Sequence, residues 1–198
     1  MTPNGKSKPI IIGLYGKSGA GKDAILKWVC DRRPNVLHPI ISMTTRPPRQ
    51  GEKEGVDYYY RTEEQFFNEE MLEQTCFNNW YYGTPISSID NIKINIGVFN
   101  LEGISQMFKK QQLNEIDFYP IQIFCSNKER LLRQLKRESK PDCAEICRRF
   151  LADEADFLDK KEIDKKHYLQ INNEYAPIAA TATPIVKLID DLDRIRQS

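Results

Sequence analysis

Gly16-Lys17-Ser18-Gly19-Ala20-Gly21-Lys22-Asp23 joins an apolar run, Ile10 to Tyr15, to a helical pattern that starts near Asp23. The order is strand, glycine loop, helix. In that setting a G-x-x-x-x-G-K loop turns successive backbone N–H groups inward around a polyphosphate, and the following helix directs its positive end at the same anion. The pattern makes Gly16 through Asp23 a phosphate site, with Lys22 reaching the outer phosphates. Its last position is usually Ser or Thr, whose hydroxyl ligates Mg²⁺; here Asp23 stands there.

Working outward, Ile25, Leu26 and Val29 recur at helical spacing with Trp28, and Pro34 ends the helix beyond Arg33. A second strand is expected over Pro39 to Met43. It leads into a dense polar stretch, Ser42-Met43-Thr44-Thr45-Arg46-Pro47-Pro48-Arg49-Gln50-Gly51-Glu52-Lys53-Glu54-Gly55-Val56-Asp57-Tyr58. Two prolines and two glycines set turns around Arg46 and Arg49, so these guanidinium groups sit on a stiff loop. Rigid forked donors suit a phosphate bidentately.

This S-x-T-T-R-x-P-R-x-G-E-x-x-G-x-D-Y pattern, following a phosphate loop, resembles the signature of guanylate kinases. The resemblance implies that Arg46, Arg49 and Tyr58, with Ser42 nearby, hold the phosphate of an acceptor nucleotide. Thr62 with Gln65 forms a capping box, and Phe66, Phe67 and Leu72 continue a helical period to Glu73. Short strands over Cys76 to Asn79 and Trp80 to Tyr82 then lead into Tyr82-Gly83-Thr84, which is similar to the family's Y-G-[ST] element. In that register Glu73 matches a guanine-reading carboxylate, Tyr82 a further phosphate contact and Thr84 a hydroxyl on the base. A carboxylate accepts both N1–H and N2–H of guanine, a pairing adenine cannot supply.

Ile92 to Asn100 reads as a buried central strand. Here the chain departs from the family, which places two Asp residues where Val98 and Asn100 stand; Asn100 keeps its place among the acceptor-site residues. Two readings follow. In one, Asp23 on the phosphate loop takes over the metal-side carboxylate role: an aspartate oxygen is a suitable hard ligand for Mg²⁺, and an acid in the first helical turn gains about 0.3–1 kcal/mol from the dipole. In the other, catalysis is lost and binding remains.

Glu102 to Gln111 is expected as a helix and Phe118 to Cys125 as a buried strand. Ser126 with Glu129 reads as the next capping box, opening a helix through Leu131, Leu132 and Leu135; after Lys140-Pro141 a second helix carries Arg148 and Arg149. An arginine-bearing helix pair resembles the lid of these kinases, whose arginines close over ATP phosphates. The matching positions are Arg149 and, offset by about one residue, Arg137. His167 to Asn173 resembles the strand beside the adenine, with Asn172 lining the base pocket. Thr183 and Pro184 are expected to start a last helix whose stripe, Ile185, Leu188, Ile189, Leu192 and Ile195, is core.

The chain of 198 residues is one domain in size, and Lys plus Arg 29 against Asp plus Glu 28 gives no charge-based case for nucleic acid or a membrane surface. No apolar run approaches the roughly 20 residues of a membrane span, and Met1 to Pro9 is polar, so a cytoplasmic protein is expected. Cys143 and Cys147 lie one helical turn apart, but neither His38 nor His167 is spaced to complete a zinc site, and the five cysteines read as reduced thiols.

The expected fold is α/β, a P-loop nucleoside monophosphate kinase with a parallel core sheet flanked by helices (8–41, 91–129 and 158–198), an inserted acceptor lobe (42–90) and a helical lid (130–157). The resemblance implies transfer of the ATP γ-phosphoryl to GMP or dGMP with Mg²⁺, with Lys22, Arg46, Arg137 and Arg149 as the catalytic cations. Two alternatives stand beside it: a kinase with broadened base choice, since Asn100 replaces a carboxylate, and a phosphopeptide-binding module, against which Gly16, Gly21 and Lys22 argue.

Overall fold

The computed structural model describes residues 8–48, 51–77, 79–137 and 140–197. Strand β1 (Ile10–Tyr15) is apolar throughout because both of its faces are covered. Ile12 and Leu14 enter one core with Ile25, Val29, Ile185 and Ile189, while Ile11 and Tyr15 enter a second core with Phe99, Ile104, Met107 and Phe118. Around β1 lies a five-stranded sheet in the order β2 (Leu37–Pro39), β7 (Ile94–Val98), β1, β8 (Asp117–Phe124), β9 (Leu169–Asn172), with every pairing parallel. Helix α1 (Lys22–Arg32) packs on α7 (Ile178–Gln197) over the first core; α3 (Leu101–Gln112) lies over the second. The phosphate loop thus leaves the C-terminal end of the central strand, the end at which open α/β sheets bind ligands.

A second sheet, ordered β4 (Tyr59–Tyr60), β3 (Met43–Thr44), β6 (Trp80–Pro85), β5 (Met71–Phe77), stands beside the first with α2 (Glu63–Phe67). Helices α4 (Asn127–Arg137) and α5 (Cys143–Asp159) pack on each other beyond β8, and α6 (Lys161–Asp164) follows.

Several boundaries differ from those expected. The single strand expected over Pro39 to Met43 divides between the sheets: β2 ends at Pro39, and β3 begins at Met43 in the other sheet. Pro39 is tolerated because β2 is an edge strand; the apolar residues to either side carry no signal of the change of sheet. The Thr62–Gln65 capping box forms, but its helix stops at Phe67, and Leu72 and Glu73 belong to β5. Pairing of Glu73 with Thr84 across to β6 overrides the helical spacing.

Only half of the Ser126–Glu129 box exists. The Ser126 hydroxyl accepts from Glu129 N–H, but the Ser126 N–H is taken by Glu174, and Glu129 turns to Arg133. The last helix starts at Ile178 and carries Pro184 inside it, with the Thr183 hydroxyl donating to Ala179 O instead of capping an N-terminus. Of its stripe, Ile195 is exposed and the other four residues are buried.

Candidate active site

Gly16 and Gly21 have φ of 146° and 95°. A Cβ at Gly16 would overlap the Ile123 carbonyl oxygen, and one at Gly21 the Asn173 amide, so the loop closes against β8 and the end of β9 only with glycine at both positions. Lys22 opens α1, and its ammonium donates to Gly16 O (2.8 Å) and Lys17 O (3.3 Å) across the mouth of the loop. Burial lowers its pKa, against the charges of Asp23 and Asp153. Asp23 is exposed in the first turn of the same helix.

The second sheet brings Arg46, Tyr58 and Tyr82 together. Arg46 is 8% exposed; its Nη2 donates to both Glu52 carboxylate oxygens (3.0 and 2.9 Å) and its Nη1 to Pro47 O (2.7 Å). Its Nε is buried without a hydrogen-bond partner among the described residues. Burial works against the Arg46 charge, but Glu52 and Tyr82 together outweigh it and the guanidinium pKa is raised. The Tyr58 ring lies 5.7 Å from that guanidinium and 6.0 Å, edge-on, from Tyr82. Burial, followed by the negative charge of Asp23, pushes the Tyr58 hydroxyl up to about 12. Arg49 lies outside the described residues.

A separate polar pocket is built from β5, β6 and the start of α3. Glu73 is 6% exposed, and its Oε1 accepts the Thr84 hydroxyl at 2.8 Å. With the Thr84 proton committed there, the Ser42 hydroxyl donates to Thr84 Oγ1 at 3.3 Å. A Cβ at Gly103 would lie 2.8 Å from Glu73 Oε2. Burial raises Glu73 to about 7, although its Thr84 hydrogen bonds pull the other way. Asn100 caps α3, its Oδ1 accepting from Gly103 N at 2.8 Å, so this side chain has a structural task at the pocket edge.

Of the lid positions, Arg137 is the exposed last residue of α4, and Arg149 lies on α5 with its Nε 3.3 Å from Glu145 Oε1. Neighbouring Arg148 lies 5.8 Å from the Phe77 ring at the end of β5, so α5 meets the second sheet. Asn172 ends β9 and is exposed.

Sequence reasoning missed the residues that grip the phosphate loop from behind. Arg133 donates to Ala20 O (3.3 Å), Asn173 O (2.7 Å) and Glu174 O (3.2 Å), and the Asn173 amide donates to Ala20 O at 2.8 Å. Arg130, 1% exposed, joins Ser18 to Asp153 and Glu154 of α5. The basic helix was visible in the sequence; which of its arginines turn inward depends on where α5 docks. A cavity of about 450 Å³ opens beside the loop between Gly16, Lys17, Gln122, Phe124, Phe157 and Gln170.

Among the described residues no three His, Cys, Asp or Glu side chains cluster as a metal cage. One carboxylate plus substrate phosphates is an ordinary donor set for Mg²⁺, and Asp23 meets that description.

Comparison with known proteins agrees with the geometry. The family model described as guanylate kinase matches residues 6–176. The guanylate kinase of Onion yellows phytoplasma is 30% identical over 190 residues, covering 91% of this chain and 86% of its own. That of Mycoplasma genitalium is 31% identical over 173 residues, covering 83% and 70%. The crystal structure of guanylate kinase from Anaplasma phagocytophilum shares the fold, with a TM-score of 0.61 at 24% identity, covering 94% of this chain and 87% of its own. With a glycine loop leaving the central strand, its lysine opening α1, and a family match across residues 6–176, this chain belongs to the guanylate kinase family.

Proposed function

We propose that the protein transfers the γ-phosphoryl group of ATP to GMP, or dGMP, giving ADP and the diphosphate. The observation that carries this reading is the buried Arg46 Nε, a donor without a hydrogen-bond partner among the described residues, in a cluster with Tyr58 and Tyr82 on the sheet that also carries the buried Glu73 carboxylate. A buried donor without a partner is costly, and an acceptor phosphate would satisfy it.

In this reading the loop amides and Lys22 hold the donor phosphates. Arg46, Arg49, Tyr58 and Tyr82 hold the acceptor phosphate in line with them, and Arg149 and Arg137 neutralise charge that builds on the transferred group. The acceptor phosphate oxygen is the nucleophile and needs no general base. Glu73, once ionised, accepts N1–H and N2–H of guanine, while Thr84 and Ser42 set its orientation. Asn172 stands beside the adenine. Asp23 would hold Mg²⁺, which neutralises charge on the β and γ oxygens.

A specific observation favours a second reading of base choice. The Asn100 oxygen is engaged by Gly103 N–H beside the buried Glu73 carboxylate, and a site with fewer obligatory partners rejects the wrong base less strongly. ADP release measured with GMP, dGMP, AMP, dTMP and CMP under saturating ATP tests both. Guanine-selective turnover is expected; equal rates across the bases remove Glu73 from its role, and no turnover with any of them overturns the assignment. The partners proposed are small nucleotides, and no helix among the described residues is long and apolar enough to cross a membrane.

A further inference from the structure

On α5, Phe150, Asp153, Glu154 and Phe157 fall at i, i+3, i+4 and i+7, one face of the helix. Arg130 of α4 meets that face along most of its length. Its Nη2 donates to Asp153 Oδ2 at 2.8 Å and its Nη1 to Glu154 Oε1 at 2.7 Å, and its guanidinium carbon lies 4.7 Å from the Phe150 ring. The Arg130 Nε donates to Ser18 O at 2.9 Å. The phosphate loop binds the same face directly: Ser18 N–H donates to Asp153 Oδ2 at 2.7 Å, and the Lys17 ammonium donates to Glu154 Oε2 at 2.6 Å while lying 5.5 Å from the Phe157 ring.

Two cations and two carboxylates therefore form one neutral network that fixes both backbone polar groups of Ser18. The centre of that network, Arg130, is 1% exposed. A guanidinium spreads its donors over three nitrogens in a fixed plane and so spans a loop carbonyl and two helix carboxylates at once, whereas the donors of an ammonium all leave a single nitrogen.

We propose that Arg130 is a positioning residue for donor binding, tying the C-terminal half of α5 to the phosphate loop so that this half of the lid stays on the donor side and sets the Ser18 backbone. Arg149, the residue before Phe150, is then delivered from a fixed base, and the motion left to the lid lies N-terminal to it, towards Cys143. This inference rests on the kinase reading only for its kinetic consequence, because the docking itself is made by contacts within the chain.

The test uses the full chain in two measurements. In R130M/D153N one positive and one negative charge are removed together, and the Asn oxygen can still accept from Ser18 N–H, so no buried charge is left unpaired. At least a tenfold loss in kcat/KM for ATP is expected, with KM for GMP within twofold of the parent and the melting temperature close to it. Donor kinetics within twofold of the parent overturn the proposal. Should the double variant fail to fold, E154Q, which weakens the outer contacts to Arg130 and Lys17, is expected to shift donor kinetics about threefold in the same direction; unchanged donor kinetics overturn it.

Hydrogen exchange on the parent protein without nucleotide separates this inference from the kinase reading. Amides from Ala152 to Asp159 are expected to be as protected as those of α1. Fast exchange there, slowed only when ATP is added, overturns the docking whatever the enzyme phosphorylates; protection with no GMP turnover overturns the function alone.

Discussion

The Thr84 hydroxyl donates to Glu73 Oε1 at 2.8 Å across the β5–β6 pair, where Thr84 is fully buried and Glu73 6% exposed. Only the ionised carboxylate can accept from two base N–H groups with both oxygens, yet burial favours its protonated form. Base recognition and burial therefore ask for opposite protonation states.

The consequence is a pH dependence with a definite sign. Burial pushes Glu73 up to about 7 from the ordinary value of 4.5. Between these values the folded protein holds a proton that the unfolded chain has released, so this group lowers stability as pH rises from about 4.5 to about 7 and costs no more above that. Binding of GMP needs the ionised carboxylate, so KM for GMP should fall as pH rises through 7 and level off near 8. Glu73→Gln should remove both effects, with KM for GMP raised at pH 8 and melting several degrees higher there. Steady-state kinetics and thermal melts from pH 5.5 to 8.5 test it; a pH-independent KM in the parent contradicts the assignment.

Arg46 is held by Glu52 through both carboxylate oxygens, and the Tyr60 hydroxyl donates to the same Glu52 at 2.9 Å. That brace fixes the plane of the guanidinium and leaves Nε for an acceptor phosphate. Arg46→Lys keeps the charge but loses the fork, so a fall of about 100-fold in kcat/KM for GMP is expected, with KM for ATP little changed. A comparable loss on the ATP side would mean that Arg46 supports the phosphate loop and not the acceptor.

Gly16 lies against the Ile123 carbonyl at φ 146°. Gly16→Ala adds a methyl group where β8 already stands, in a backbone conformation that L side chains rarely adopt. A cost of about 3 kcal/mol is expected. Melting should fall by about 6–12 °C, with loss of ATP binding. A variant that melts like the parent would show that the loop can shift away from β8.

How much of this was written in the sequence depends on the range of the interaction. The phosphate loop, β1 and the Thr62–Gln65 cap are local, and their residues dictate them directly. Glu73 was matched by its register with Thr84 while its local spacing suggested a helix; the strand pairing that decides the matter is made with residues eleven positions away. Pro39 shows the same limit, since nothing between Leu37 and Thr44 marks the step from one sheet to the other. Least legible was the Arg130 network. Arginines on α4 look alike until α5 docks, and the carboxylates that select Arg130 are more than twenty residues downstream.

Asp23 tests the role given to an acid where the loop pattern usually has a hydroxyl. Its carboxylate is exposed in the first turn of α1, and its charge acts on both Lys22 and the Tyr58 hydroxyl. An uncompensated negative charge there would repel both phosphates. With Mg²⁺ bound, the same charge becomes an attraction, because the ion is shared between carboxylate and phosphate oxygens. Asp23→Ala should therefore raise the Mg²⁺ concentration for half-maximal turnover by about tenfold, roughly one lost charge-assisted contact, and leave KM for GMP within about twofold. Asp23→Ser, which restores the usual hydroxyl, should recover most of the Mg²⁺ response. If Asp23→Ala leaves the Mg²⁺ titration unchanged and lowers KM for both nucleotides, the carboxylate acts only by repulsion and the metal is held without it.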